Sequence, residues 1–171
     1  MLFPDIHLHS IYDITPERLK KDGVGALVLD IDNTLVTYQT PVPGDDVKEW
    51  IAGMRAAGIG ITIASNNHRD RVSLFCEGLD VFYSYDSGKP GTKCIKQSCE
   101  KFGLKPENIG VVGDQIFTDV WCARRGGARS YLVDSLGGRE NLFIRFKRLL
   151  EKPIISSYRK KHPSEFSEET K

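Results

Sequence analysis

Asp30 and Asp32 close the run Val28-Leu29-Asp30-Ile31-Asp32-Asn33-Thr34, which up to Ile31 is otherwise apolar. A carboxylate is expensive to bury, so a strand ending in two of them needs a use for them. Three later runs end in the same way. Ile59 to Ala64 leads into Ser65-Asn66-Asn67, Val81 to Tyr85 is followed by Ser87-Gly88-Lys89-Pro90, and Asn108 to Val112 leads into Gly113-Asp114-Gln115 with Asp119 beyond. Carboxylates beside a hydroxyl and an ammonium suit a phosphate ester together with a hard divalent metal. An Asp oxygen can attack phosphorus once the charge of the dianion is neutralised, and Mg2+ does this with one or two carboxylates plus the substrate phosphate. Asp30 is the candidate nucleophile. Asp30, Asp32 and Asp114 are the candidate metal ligands, with a backbone carbonyl available for a remaining position. Asp32, two residues past Asp30, can protonate the leaving oxygen and later deprotonate the attacking water. Ser65 can hold a phosphoryl oxygen, and Lys89 can supply positive charge where the transition state gathers negative charge. Thr34 and Asn66 join Ser65 and Lys89 as candidate substrate contacts, and Asp119 can orient Lys89 or a water on the metal. Simpler readings stand beside these: Thr34 as a local cap, Asn66 and Asn67 as caps of the next helix, and Lys93 in place of Lys89.

The elements that must position these groups alternate. Gly25 to Ile31 is apolar throughout except Asp30, as expected of a parallel strand covered on both faces. A helix is expected from about Asp45 to Ala57, with Val47, Trp50, Ile51 and Met54 on one face and Gly58 as its stop. Ile59 to Ala64 is the second strand, Val72, Leu74, Phe75 and Leu79 mark a helix, and Val81 to Tyr85 is the third strand. Pro90 opens a helix to about Phe102. Asn108 to Val112, a helix from Phe117 to Arg125, Ala128 to Val133 and a last helix from Arg139 to Glu151 complete the pattern. Five strand-helix repeats predict an α/β doubly wound fold with a five-stranded parallel sheet. In such sheets ligands sit beyond the carboxyl ends of the strands, where the sequence puts its acids. Residues 1–153 read as one domain opening with an arm over 1–23, and 154–171 as a polar, loosely held tail.

With these residues in view, the chain resembles the haloacid dehalogenase (HAD) phosphatase superfamily. Asp30, Asp32 and Thr34, then Ser65, Lys89, and Gly113-Asp114 with Asp119 look like its four motifs in order. LDIDNTLV, ASNN, KP and GDQIFTDV are similar, more narrowly, to the subclass IIIA branch typified by the YqeG family, from about Phe3 to Pro153. The resemblance implies a three-layer Rossmannoid sandwich with strand order 5-4-1-2-3, and Mg2+-dependent hydrolysis through an aspartyl phosphate. It also implies kinship with phosphatases that remove the terminal phosphate of phosphatidylglycerophosphate. One departure is the basic His68-Arg69-Asp70-Arg71, which leaves the role of that stretch open.

Thirty residues separate Thr34 from Ser65, and twenty-three separate Ser65 from Lys89, so neither gap holds a cap domain. A capless site suits a phosphate on something large, such as a lipid head group, although a soluble sugar phosphate, a nucleotide or a phosphoprotein needs the same motifs. A phosphate-binding scaffold would be expected to have lost one of the acids, and none is lost. A receiver domain would take its phosphate on a third-strand Asp, whereas Asp86 lies beyond that strand.

Net charge is +1 in 171 residues, but 139–161 carries eight Lys or Arg against two Glu. That pattern favours a local anionic surface over nucleic acid. Leu142, Phe143, Phe146, Leu149 and Leu150 can form one helical stripe flanked by Arg139, Arg145, Lys147, Arg148 and Lys152, with Arg159, Lys160 and Lys161 following. Packing of that stripe on the sheet is the ordinary expectation, with peripheral contact at an anionic membrane through the charges beside it. No run approaches a membrane span, and no signal or transit segment is visible, which points to a cytoplasmic protein. Cys76, Cys94, Cys99 and Cys122 lack zinc or redox spacing and read as free thiols. His7 and His9 read as surface residues, with Leu2, Phe3, Ile6 and Leu8 available to a surface-binding arm.

Overall fold

Ala26–Leu29 is buried on both faces, and parallel neighbours on either side satisfy its backbone. The structure is a computed structural model that describes residues 2–137 and 142–163, with the backbone alone at 142–148. In chain order its elements are β1 (Ile6–Leu8), α1 (Pro16–Lys21), β2 (Ala26–Leu29), α2 (Asp45–Ala56), β3 (Gly60–Ala64), α3 (Arg69–Cys76) and β4 (Phe82–Ser84). They continue with α4 (Lys93–Phe102), β5 (Ile109–Gly113), a π-helical turn at Ile116–Val120, α5 (Trp121–Gly126), β6 (Arg129–Val133) and α6 (Leu142–Lys161).

All strand pairs are parallel, and the sheet order is β1-β6-β5-β2-β3-β4. The sheet therefore has six strands rather than the five expected from the sequence. The additional one is β1, which lies in the segment read as an arm and pairs Ile6 to Leu8 with Tyr131 to Val133. A three-residue strand is too short to show periodicity, which is why the sequence concealed it. His7, read as a surface residue, is buried there, and its Nε2 lies 2.8 Å from Asp134 Oδ1.

Apolar side chains divide by strand alternation into two layers. Leu27, Leu29, Ile61 and Ile63 meet Val47, Ile51 and Met54 of α2 and Val72 and Phe75 of α3. Ala26, Val28, Ala64 and Val111 meet Cys94 and Ile95 of α4 and Cys122 and Ala123 of α5. All four cysteines are free thiols. The connections from β2 to β3 and from β3 to β4 each hold one helix and no further domain.

The C-terminal segment also differs from expectation. Pro153 lies inside α6, which continues to Lys161, so residues 154–161 are helical instead of a loose tail. Ile154 and Ile155 pack against Ile116, Val120 and Leu132, and Tyr158 is buried beside Phe3. Among the described side chains the helix packs through this face, while Leu149 and Leu150 of the predicted stripe are 61% and 47% exposed. Arg139, the side chains of Leu142, Phe143, Arg145, Phe146, Lys147 and Arg148, and residues 164–171 lie outside the described residues.

Candidate active site

The chain runs from β2 outward through β3 to β4, then crosses back to β5 on the other side of β2. This reversal puts the carboxyl ends of β2 and β5 side by side, where a crevice forms in open parallel sheets. Asp30 follows β2 directly and donates its N–H to Val112 O at 3.0 Å. Asp114 follows β5. Asn33 then turns the chain with φ 63°, a left-handed conformation that Asn tolerates, and its Oδ1 accepts the Tyr38 N–H. Asp119 reaches the same place from the π-helical turn, a local form common at functional sites. Gly113 allows this approach, because a Cβ there would run into the Asp119 carboxylate.

Asp30, Asp114 and Asp119 each offer an oxygen within 4.8 Å of the others, and all three are buried. Lys89 reaches in from the loop after β4 and donates to Asp30 Oδ1 at 2.6 Å and to Asp119 Oδ1 at 2.7 Å, its side chain only 2% exposed. Burial works against the Lys89 charge, but Asp119 and Asp30 outweigh it and hold its pKa above the ordinary lysine value. Burial pushes the Asp30 carboxyl up to about 8, with Lys89 pulling it back and Asp119 and Asp114 pushing it further. Three carboxyl groups thus meet one ammonium where water scarcely reaches. An all-oxygen donor set of this kind fits a hard divalent cation.

Asp32 stands apart from this acid group. Its Oδ1 accepts from Arg71 Nη2 at 3.0 Å and its Oδ2 from Asn67 Nδ2 at 3.4 Å, so its side chain is turned from the place expected of a metal ligand toward the mouth of the cleft. Arg71, which the sequence left without a role, also donates to Thr40 O at 2.8 Å and Pro41 O at 2.7 Å. It thereby ties the loop after Asp32 to the first turn of α3.

The other predicted residues separate by function. Ser65 lines the cleft, its Oγ accepting the Asn67 N–H at 3.0 Å. Thr34 is buried with its hydroxyl 3.5 Å from Asp114 Oδ1, and so buttresses an acid where a substrate contact was expected. Asn66 also lines the cleft but uses both ends of its amide on Lys89: its Oδ1 accepts from Lys89 N at 2.8 Å and its Nδ2 donates to Lys89 O at 2.9 Å. That clamp is neither of the roles read from the sequence, a helix cap or a substrate contact alone. Lys93 is exposed, and Asp86 faces His68 outside the cleft. The cleft has a volume of about 290 Å3, and Tyr38, Gln115 and Thr118 complete its rim. A larger cavity of about 680 Å3 opens at the amino ends of the strands beside Gly25, Gly60 and Phe82, and contains none of the acid group.

A parallel sheet of this order with an acid cluster and a buried lysine at the reversal point has the form of a HAD-type hydrolase. Residues 87–141 match the family model described as HAD-hydrolase-like. Over 158 residues, covering 92% of both chains, the sequence is 37% identical to "Probable phosphatase YqeG" of Bacillus subtilis (strain 168). It is 27% identical over 116 residues to the glyceraldehyde 3-phosphate phosphatase of Pyrococcus furiosus, spanning 63% of this chain and 48% of that one. Among solved structures, the cobalt-bound deoxy-D-mannose-octulosonate 8-phosphate phosphatase of Haemophilus influenzae superposes with a TM-score of 0.52 at 11% identity, covering 78% of this chain and 90% of that one. The chain belongs to the YqeG family of HAD phosphatases, and it is an enzyme of that class.

Proposed function

We propose that the protein is a Mg2+-dependent phosphomonoester hydrolase working through an aspartyl phosphate at Asp30, on a large or membrane-presented substrate such as phosphatidylglycerophosphate. The observation that carries the reading is the buried group of Asp30, Asp114 and Asp119 bridged by Lys89 at the carboxyl edge of the sheet. Asp30 and Asp114 would hold the metal, which when bound offsets the charge of both carboxylates and phosphate. A cobalt ion in the Haemophilus influenzae relative is consistent with such a divalent site.

In the first half-reaction an Asp30 oxygen attacks phosphorus, the bond from phosphorus to the ester oxygen breaks, and Asp32 gives its proton to the departing alcohol. In the second, water attacks the same phosphorus, Asp32 takes the proton of that water, and phosphate leaves with Asp30 restored. Asp32 sits at the cleft mouth within reach of a leaving group that points outward, which agrees with its separation from the acid group. Ser65 binds a phosphoryl oxygen, and Lys89, held by Asp119 and Asn66, stabilises the transferring group. With single helices in both connections, nothing folds over the cleft among the described residues, so a bulky alcohol can remain outside it.

Turnover of an aryl phosphate with Mg2+, abolished by chelation and by Asp30→Asn, tests the chemistry. Turnover of phosphatidylglycerophosphate in mixed micelles against a panel of soluble phosphomonoesters tests the substrate, and preference for the soluble panel would reject that choice.

A further inference from the structure

We propose that the outer face of α6 is a docking surface for an anionic lipid bilayer. This goes beyond the phosphatase reading and does not depend on it. The helix packs inward through Glu151, Ile154, Ile155 and Tyr158, positions three and four residues apart, and Glu151 Oε1 accepts the Phe117 N–H at 3.1 Å. Leu149 and Leu150 lie off that face and are exposed.

Charge decides between occupants. Among the described residues 149–163, the exposed charged side chains are Lys152, Lys160, Lys161 and Arg159, the last meeting Asp134 Oδ1 at 3.2 Å, while the single acid of the helix there, Glu151, is buried. A second copy brought face to face on this helix would set like charges against each other. A nucleic acid would satisfy the cations but gives exposed leucines no apolar phase. An anionic leaflet supplies both, as for helices that lie in the membrane interface. The helix meets the site through its other face, since inward Glu151 accepts from Phe117, which shares the Ile116–Val120 turn with Asp119 and the rim residue Thr118. Among the described residues no helix is long and apolar enough to cross a membrane, so the contact is peripheral.

Flotation of the full chain with vesicles tests this. Vesicles of equimolar phosphatidylcholine and phosphatidylserine should carry the protein up the gradient, and phosphatidylcholine alone should not. High salt should weaken the binding, because each basic side chain near an anionic leaflet strengthens it about fivefold. The pair Lys152→Glu and Lys160→Glu should weaken binding at least ~10-fold, and Leu149→Glu with Leu150→Glu should abolish it, with Mg2+-dependent aryl phosphate turnover unchanged in both variants. Equal binding to neutral vesicles, no binding to either, binding untouched by both variants, a dimer broken by the leucine variants, or preferential retention on RNA would each overturn the proposal.

Discussion

Replacing Asp30 by Asn should stabilise the metal-free protein at alkaline pH while destroying its activity. The carboxyl is pushed from 3.8 to about 8 in the fold, chiefly by burial. Between those values the folded chain holds a proton that the unfolded chain has released, so stability falls as pH rises through this window. At ~1.4 kcal/mol for each pH unit, the ionised side chain costs the fold on the order of 5 kcal/mol by pH 8. The Asn variant keeps the shape of the site and leaves Lys89 paired to Asp119. Urea unfolding in chelator from pH 5 to pH 8.5, for wild type and variant in parallel, isolates this contribution in the difference between the two curves. The wild type should lose stability relative to the variant as pH rises, and saturating Mg2+ should recover most of the loss by binding only the folded state. Parallel curves for the two proteins would refute the reasoning.

Other substitutions separate the parts of the site. Lys89→Ala strips the counter-charge from two buried carboxylates and should cost ~3–5 kcal/mol, a drop of roughly 6–20 °C in melting temperature, together with ~10²–10³ in kcat. Arg71→Ala releases Asp32 and the 40–41 loop and should lower kcat by about 10²-fold with little change in KM. Arg71→Lys should restore only part of this, because one ammonium cannot make all three contacts. Tyr158→Ala should cost roughly 3–5 kcal/mol in a denaturant melt, since its ring is buried between α6 and the N-terminal segment; a negligible change would mean that α6 does not hold the sheet edge.

The central strands and the acids at their ends were legible because each depends on local chemistry: an apolar run long enough to be covered on both faces, then a polar residue with no reason to stop there. Asp30, Ser65, Lys89 and Asp114 meet as the strand ends implied. What escaped notice depends on distant partners. β1 is three residues long and exists through its pairing with β6. The inward face of α6 is set by Ile116, Val120 and Leu132, distant in sequence, so nothing within the helix marks Ile154 and Ile155 as packed positions. Asp32 is two residues past Asp30, a spacing that in an extended run puts both on one face, and nothing local reveals that Arg71 draws its side chain to the cleft mouth. The basic residue that seemed a departure at α3 carried that information, readable only once a partner for Asp32 was sought.

The central claim is that the Asp30 oxygen becomes bonded to phosphorus. The Asp32→Asn protein, unable to activate water, should accumulate the adduct when mixed with Mg2+ and an aryl phosphate whose phenolate leaves without a proton, then acid-quenched and reduced with borohydride. Peptide mapping should then find homoserine at position 30 and none in the protein that also carries Asp30→Asn. Reduction at a different residue, or wild-type turnover by the Asp30→Asn protein, would contradict the account.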